Sequence, residues 1–211
     1  MKQKRFQHNF KSYLWVIGIG LFAGIITRLS DLFPYDTLWS FSSIASAFGF
    51  WMLTTTLVIY FSCSNKNAAI NVFLYLSSMN FSFYFLKYII GFYFPRFYDI
   101  GGFHWTLLIE YDIFALVCAA ISYVLYFWNK DNKISNVLYA LPICGLGAET
   151  IGIAMFLANT HTYLFQLIFD LLSFMILGYI FYKKVNSKLI YIITVIIGTL
   201  SGYYLVYASM I

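Results

Sequence analysis

The chain alternates long apolar runs with short polar segments. Seven runs reach the length of about 20 residues that an α-helix needs to cross the hydrocarbon core of a bilayer. They cover residues 13–32, 42–61, 68–94, 106–128, 134–156, 163–182 and 189–208. Their apolar residues are continuous rather than alternating, which is typical of helices and not of barrel strands. The pattern predicts an all-α, polytopic transmembrane helical bundle of about seven spans.

The segments between the runs are too short to form a separate soluble domain. We therefore predict one integral membrane domain over residues 1–211. The main alternative has six spans, with one apolar run re-entrant or lying at the membrane interface.

Composition supports a membrane environment. Hydrophobic residues make up 62% of the chain and charged residues only 10%, whereas soluble domains contain about 25% charged residues. The net charge is +5, but the basic residues fall in short runs between apolar segments and form no patch. We therefore expect the lipid bilayer as a partner and no nucleic acid.

The distribution of charges predicts the orientation. If the N-terminus is cytoplasmic, ten of the thirteen Lys and Arg residues lie on the cytoplasmic side. Seven of the eight acids then lie in the outer half of the membrane or outside it. This bias follows the positive-inside rule. It predicts a multi-pass plasma-membrane protein with a cytoplasmic N-terminus and an external C-terminus.

Four charged side chains stand out within the apolar runs: Arg28, Lys87, Glu149 and Asp170. A charge at the bilayer centre costs about 2.5–3.5 kcal/mol on insertion scales, so such residues face protein or water and form pairs. The alternating directions of the spans place all four in the outer half of the membrane. Two bases and two acids at similar depth therefore predict a convergence of charges from separate helices.

Helical spacing adds polar neighbours to these four residues. Asn80 and Tyr84 share a face with Lys87, and Gln166 shares a face with Asp170, through steps of three and four residues. Together they predict an outward-facing polar cleft. Its ligand-binding residues are Arg28, Asn80, Tyr84, Lys87, Asp112, Glu149, Gln166 and Asp170. Polar stripes also hold membrane helices together without binding a ligand, and that structural role is the competing interpretation.

Motifs that indicate catalysis are absent from the sequence. It contains no HExxH zinc motif, no GxSxG elbow, and neither a Walker A nor a GxGxxG nucleotide-binding motif. Cys63, Cys118 and Cys144 follow no metal-ligand spacing and are expected to be free thiols. We predict no catalytic residue, no metal site and no cofactor, and the pattern argues against an enzyme without deciding the question.

Three stretches carry a resemblance to a known family: "FPYDTLWSFSSIASAFGFW", "CSNKNAAINVFLYLSSMNFSFYFLKY" and "NTHTYLFQLIFD". They are similar to an uncharacterised family of small bacterial multi-spanning membrane proteins, and the likeness covers most of the chain. It implies a membrane fold but no substrate. A weaker similarity, carried by Gly20 and Gly24, is to the substrate-binding subunits of energy-coupling vitamin transporters. It implies an outward pocket and a small-residue face that docks a partner membrane subunit.

The leading functional hypothesis is binding of a small solute or ion, for transport, in the polar cleft. Lys87 and Arg28 would hold an anionic group or balance the acids, while Glu149 and Asp170 would bind a cation or exchange protons. The alternative is a non-catalytic membrane partner subunit or a stress or immunity protein. An intramembrane enzyme acting on a lipid-like substrate is the least favoured hypothesis.

Overall fold

The computed structural model describes residues 6–94, 102–130 and 132–208. The described residues form eight α-helices, a 3₁₀ turn and a π-helical turn, which confirms the predicted all-α class. The helices are α1 (Phe10–Ser30), α2 (Ser43–Ser46), α3 (Phe48–Phe61), α4 (Asn65–Tyr93), α5 (Trp105–Leu125), α6 (Lys133–Thr160), α7 (Leu164–Tyr182) and α8 (Lys188–Gly202). The 3₁₀ turn is Tyr126–Asn129 and the π-helical turn is Tyr203–Tyr207.

Six segments in the described part of the chain are long and apolar enough to cross a membrane. They are Phe10–Ser30, Asn65–Tyr93, Trp105–Asn129, Ile134–Thr160, Leu164–Tyr182 and Lys188–Tyr207. Each overlaps one of the predicted apolar runs, so the protein has the helices of a membrane protein. The orientation stays a prediction. Six of the charged residues on which the predicted orientation rests lie outside the described residues: Lys2, Lys4, Arg5, Arg96, Asp99 and Asp131.

The predicted span over residues 42–61 differs from the structure. Ala47 has an extended backbone (φ −89°, ψ 153°), which separates the four-residue α2 from the 14-residue α3. At 1.5 Å per residue α3 measures about 21 Å, less than the roughly 30 Å of hydrocarbon. Serine and glycine are weak helix formers, and the segment "SSIASAFG" is rich in both. The single helix is therefore replaced by two, and the count of seven spans stays a prediction.

The chain divides into two compact units, and each unit is built from two segments of sequence. The first comprises Met1–Leu29 and Leu57–Tyr126, and the second comprises Ser30–Thr56 and Phe127–Ile211. The first unit therefore contains α1 up to Leu29, the end of α3, α4 and α5. The second contains α2, most of α3, α6, α7 and α8.

In the first unit α1 packs on α4 through two buried glycines, Gly20 and Gly24. A Cβ at Gly24 would clash with the backbone oxygen of Met79 and with Ser82 Oγ. Ser82 Oγ in turn donates a hydrogen bond to the Leu21 carbonyl at 2.9 Å. This is the close backbone approach that small residues permit in membrane helices. Because the glycine face is covered by α4, it does not offer the docking surface expected from the similarity to transporter subunits.

In the second unit an aromatic cluster holds the 3₁₀ turn, α6 and α7 together. Trp128 stacks on Tyr139 with ring centroids 5.3 Å apart and contacts Phe181 at the same separation. Asn136 Oδ1 accepts hydrogen bonds from the backbone amides of Asn186 and Ser187 at 3.0 and 3.1 Å. These contacts fix the α7–α8 turn against the start of α6.

The thiols of Cys63, Cys118 and Cys144 are free, as predicted. Cys144 is buried, and its Sγ lies against Gly198, where it would clash with an added Cβ. The cysteine therefore serves as a small apolar residue in the contact between α6 and α8.

The glycine contact between α1 and α4 gives a stability prediction. Gly24→Ala should lower the thermal stability of the detergent-solubilised protein by about 1–3 kcal/mol, because overpacking forces backbone shifts. Gly18→Ala on the same helix is the matched control, since nothing lies within 4 Å of an added Cβ there. Equal melting temperatures for the two variants would show that α1 and α4 do not approach as described.

Candidate functional site

The first turn of α3 is the organising feature of the candidate site. The first amides of a helix have no partner within it, and the helix dipole makes this end positive. Glu149 on α6 supplies the missing acceptor, because its Oε1 accepts a hydrogen bond from the Phe48 amide at 2.6 Å. The Gly49 amide also contributes a hydrogen bond to this carboxylate. Glu149 is only 1% exposed, so its buried charge is held by the start of a helix.

A second carboxylate reaches the same turn from α7. Gln166 Nε2 donates a hydrogen bond to Asp170 Oδ1 at 2.8 Å, one helical turn apart on one face. Both side chains are fully buried. A Cβ at Gly49 would clash with Asp170 Oδ1 and lie 2.9 Å from Gln166 Nε2. Gly49 is therefore the residue that lets the Asp170 carboxylate contact the backbone of α3.

The two acids consequently meet at neighbouring residues of one helix turn. Glu149 contacts the amide of Phe48, Asp170 packs on Gly49, and the two carboxylates interact electrostatically. Like charges this close repel each other strongly in a medium of low dielectric constant. A positive partner is needed to relieve that repulsion.

Three oxygens at this place accept no hydrogen bond from any residue that the structure describes. They are Glu149 Oε2, Asp170 Oδ2 and Gln166 Oε1, and all three are buried. Buried polar atoms normally have a partner, and one left unsatisfied costs about 1–3 kcal/mol. The Gln166 amide donates to Asp170, so its carbonyl oxygen is the part that remains as an acceptor. The arrangement can therefore bind a cation through oxygen atoms.

A cavity of about 280 Å³ adjoins Glu149. Its walls come from α2, α3, α6, the residue before α7 and the π-helical turn. The lining residues are Ser46, Ala47, Phe48, Glu149, Gly152, Ile153, Phe156, Tyr163 and Tyr207. Tyr207 packs on Gly152 and interacts electrostatically with both carboxylates. Single π-helical turns occur often at functional sites. Glu149 is the one acid in this lining, so a ligand in the cavity would meet its charge.

Three residues of the second unit have backbone in an uncommon conformation, and one of them, Tyr163, lines this cavity. Ser40, His161 and Tyr163 have positive φ values of 41°, 55° and 71°. For a bulky residue such as Tyr163 this conformation is strained, and it persists only where the surroundings enforce it. The Tyr163 amide donates to Ser40 Oγ at 3.3 Å, and the Leu164 amide donates to the Leu38 carbonyl at 2.9 Å. These bonds tie the loop before α2 to the start of α7.

The other predicted ligand residues lie in the first unit. Asn80 Nδ2 on α4 donates to Asp112 Oδ1 on α5 at 3.3 Å, so the structure brings these two together. The Arg28 guanidinium is 4% exposed and lies 5.7 Å from the centre of the Phe83 ring, a cation–π contact. Three of the predicted ligand residues therefore have a hydrogen bond or an aromatic contact within the first unit.

The last two predicted residues lie farther along α4. Tyr84 is buried, with its ring centre 6.0 Å from that of Tyr111 and 6.5 Å from that of His104. Lys87 is half-buried on the same helix. The convergence of Arg28 and Lys87 with the acids of the second unit stays a prediction.

Three parts of the site are missing from the predicted set: the amides of Phe48 and Gly49 and the ring of Tyr207. Backbone amides have no side-chain signal, and Tyr207 is one of 19 tyrosines in the chain. The small residues of "SSIASAFG" are the signal for a helix end before Phe48, because serine and glycine weaken a continuous helix.

Comparison of the chain with protein-family models, curated proteins and solved structures gives no match. Both resemblances inferred from the sequence therefore stay predictions, and a function has to be inferred from the site itself.

The contact at Gly49 can be tested by a substitution that adds a single methyl group. Gly49→Ala should destabilise the protein, because the added Cβ displaces Asp170 from the first turn of α3. In an ordinary helical position the same change stabilises by up to about 1 kcal/mol. Gly178→Ala is the control in the same unit, since its Cβ would meet neighbours only at 3.8 and 3.9 Å. A melting temperature of Gly49→Ala that equals or exceeds that of Gly178→Ala would contradict this geometry.

Proposed function

We propose that the protein binds a small monovalent cation between Glu149, Gln166 and Asp170, as part of ion or solute transport across the plasma membrane. The observation that supports this proposal most directly is the set of three buried acceptor oxygens around the first turn of α3. In the described part of the chain no donor satisfies them.

A cation removes two unfavourable terms at once. It supplies the positive partner that each buried oxygen lacks, and it reduces the repulsion between the Glu149 and Asp170 carboxylates. A neutral solute could donate hydrogen bonds to the oxygens but would leave the repulsion in place. The charge balance therefore favours an ion, or a solute that carries a positive group.

The ligand set favours an alkali cation or a proton. All three atoms are oxygens, which suit hard cations rather than zinc or copper. Part of the Glu149 charge is already balanced by the positive end of α3, so the pair carries less than two full negative charges. The described residues contain no cluster of three His, Cys, Asp or Glu side chains. A singly charged ion therefore balances the negative charge that remains on the two carboxylates better than a divalent ion would.

The interrupted helix is the feature that links binding to transport. Secondary transporters bind their ions and substrates where spanning helices are broken, because helix ends and freed backbone groups are available there. Here the break at Ala47 creates the end of α3 that holds Glu149. The partner-subunit and enzyme hypotheses have no comparable feature in the structure and stay predictions.

Cation binding can be measured as thermal stabilisation of the purified protein. A ligand that binds only the folded state at 100 times its Kd adds about 2.7 kcal/mol. We expect NaCl or KCl, compared with choline chloride at equal ionic strength, to raise the melting temperature, or a proton to do so in a pH series. Glu149→Gln and Asp170→Asn should abolish the effect, because each keeps its hydrogen-bonding shape but loses the charge.

Glu110→Gln is the matched control, because Glu110 is exposed on α5 and its removal changes the net charge equally. Uptake of the stabilising ion into proteoliposomes then tests transport. A wild-type protein indifferent to Na⁺, K⁺ and pH, or site variants that respond like wild type, would contradict the proposal.

A further inference from the structure

A second cavity in the second unit forms a groove between α6, α7 and α8. Its volume is about 320 Å³, and its lining is apolar and aromatic, from Phe174 to Tyr182 on α7 and from Tyr191 to Val195 on α8. The α7 part of the lining is about 12 Å long. Met175 and Tyr179 in this lining are each 60% exposed, so the groove is open along one side.

Gly178 gives the groove its depth. An added Cβ there would reach Ile143 and the Tyr191 hydroxyl at only 3.8 and 3.9 Å, so a longer side chain would fill the groove. The Tyr191 hydroxyl donates to the Gly178 carbonyl at 3.1 Å. With that polar group satisfied, the groove suits an apolar occupant that is narrow in cross-section, such as an acyl chain.

Two lysines border one end of this groove. Lys183 Nζ lies 4.4 Å from the centre of the Tyr179 ring, and Lys188 Nζ lies 5.1 Å from that of Tyr182. Both tyrosines are lining residues. The cation–π contacts therefore hold two ammonium groups beside the apolar walls.

The part of the chain that follows Asp170 supplies no acid to neutralise these lysines. Three lysines lie within residues 183–188, and no Asp or Glu follows Asp170 in the chain. Lys188 is also the first residue of α8, where the positive end of the helix dipole disfavours a cation. An anion bound between the lysines would offset both effects.

We infer that this groove binds an anionic phospholipid, with an acyl chain against Gly178 and the headgroup phosphate between Lys183 and Lys188. Basic pockets between transmembrane helices bind anionic headgroups in this manner. The predicted orientation places the lysines at the cytoplasmic surface, where anionic lipids attract basic residues. The groove shares none of its lining with the cavity beside Glu149, so this site is independent of the proposed cation site.

Native mass spectrometry of the detergent-purified protein, titrated with phosphatidylglycerol or phosphatidylcholine of identical acyl chains, tests the inference. Because two lysines lie near the anionic headgroup, we expect phosphatidylglycerol to bind with a Kd about thirtyfold lower than that of phosphatidylcholine. The double variant Lys183→Gln/Lys188→Gln should reduce binding to the level of phosphatidylcholine. Gly178→Leu should weaken binding of both lipids, and Gly178→Ala should leave both unchanged.

The double variant Lys11→Gln/Lys66→Gln is the control, since it removes two exposed charges from the first unit. It should retain the wild-type preference. If Gly178→Leu fails to fold, the lysine variants decide the outcome alone. Equal binding of the two lipids by wild type, or a preference that survives in Lys183→Gln/Lys188→Gln, would overturn the inference.

Discussion

The candidate site depends on one hydrogen-bonded contact, between a buried carboxylate and the start of a short helix. Glu149 Oε1 accepts from the Phe48 amide at 2.6 Å, so a charge that is costly to bury is stabilised by donors that α3 cannot satisfy itself. The same bond makes the helix break at Ala47 tolerable inside apolar surroundings, because an unsatisfied amide there would be costly as well. This contact explains why an acid occurs in the middle of the apolar sixth helix.

The contact leaves the second oxygen of Glu149 available, and the absence of a side chain at Gly49 admits Asp170 and Gln166 to the same turn. A purely structural cap would need one carboxylate. The second buried acid adds repulsion without capping a further amide in the described part of the chain, and this excess of negative charge is the reason why we propose a bound cation. Tyr207 and the strained backbone at Tyr163 enclose the adjoining cavity.

Helical periodicity was sufficient to identify some of the polar residues that share a buried face. The spacing of Gln166 and Asp170 places both on the buried face of α7, and Asn80 and Asp112 do contact each other. Helical periodicity did not reveal that residues 42–61 are broken at Ala47, because it reports which residues share a face and not where a helix ends; the small residues of "SSIASAFG" were the available signal. It also could not show that Gly20 and Gly24 pack on α4 of the same chain, since close packing within and between chains uses the same small residues.

The central claim is that the carboxylates of Glu149 and Asp170 contact a bound cation. Infrared difference spectroscopy of the membrane-reconstituted protein, recorded as choline is exchanged for the stabilising ion, observes those groups directly. We predict a shift in the carboxylate stretching bands that disappears in Glu149→Gln and Asp170→Asn and persists in Glu110→Gln. A difference spectrum without carboxylate bands, or one that is the same in the site variants and wild type, would contradict the claim.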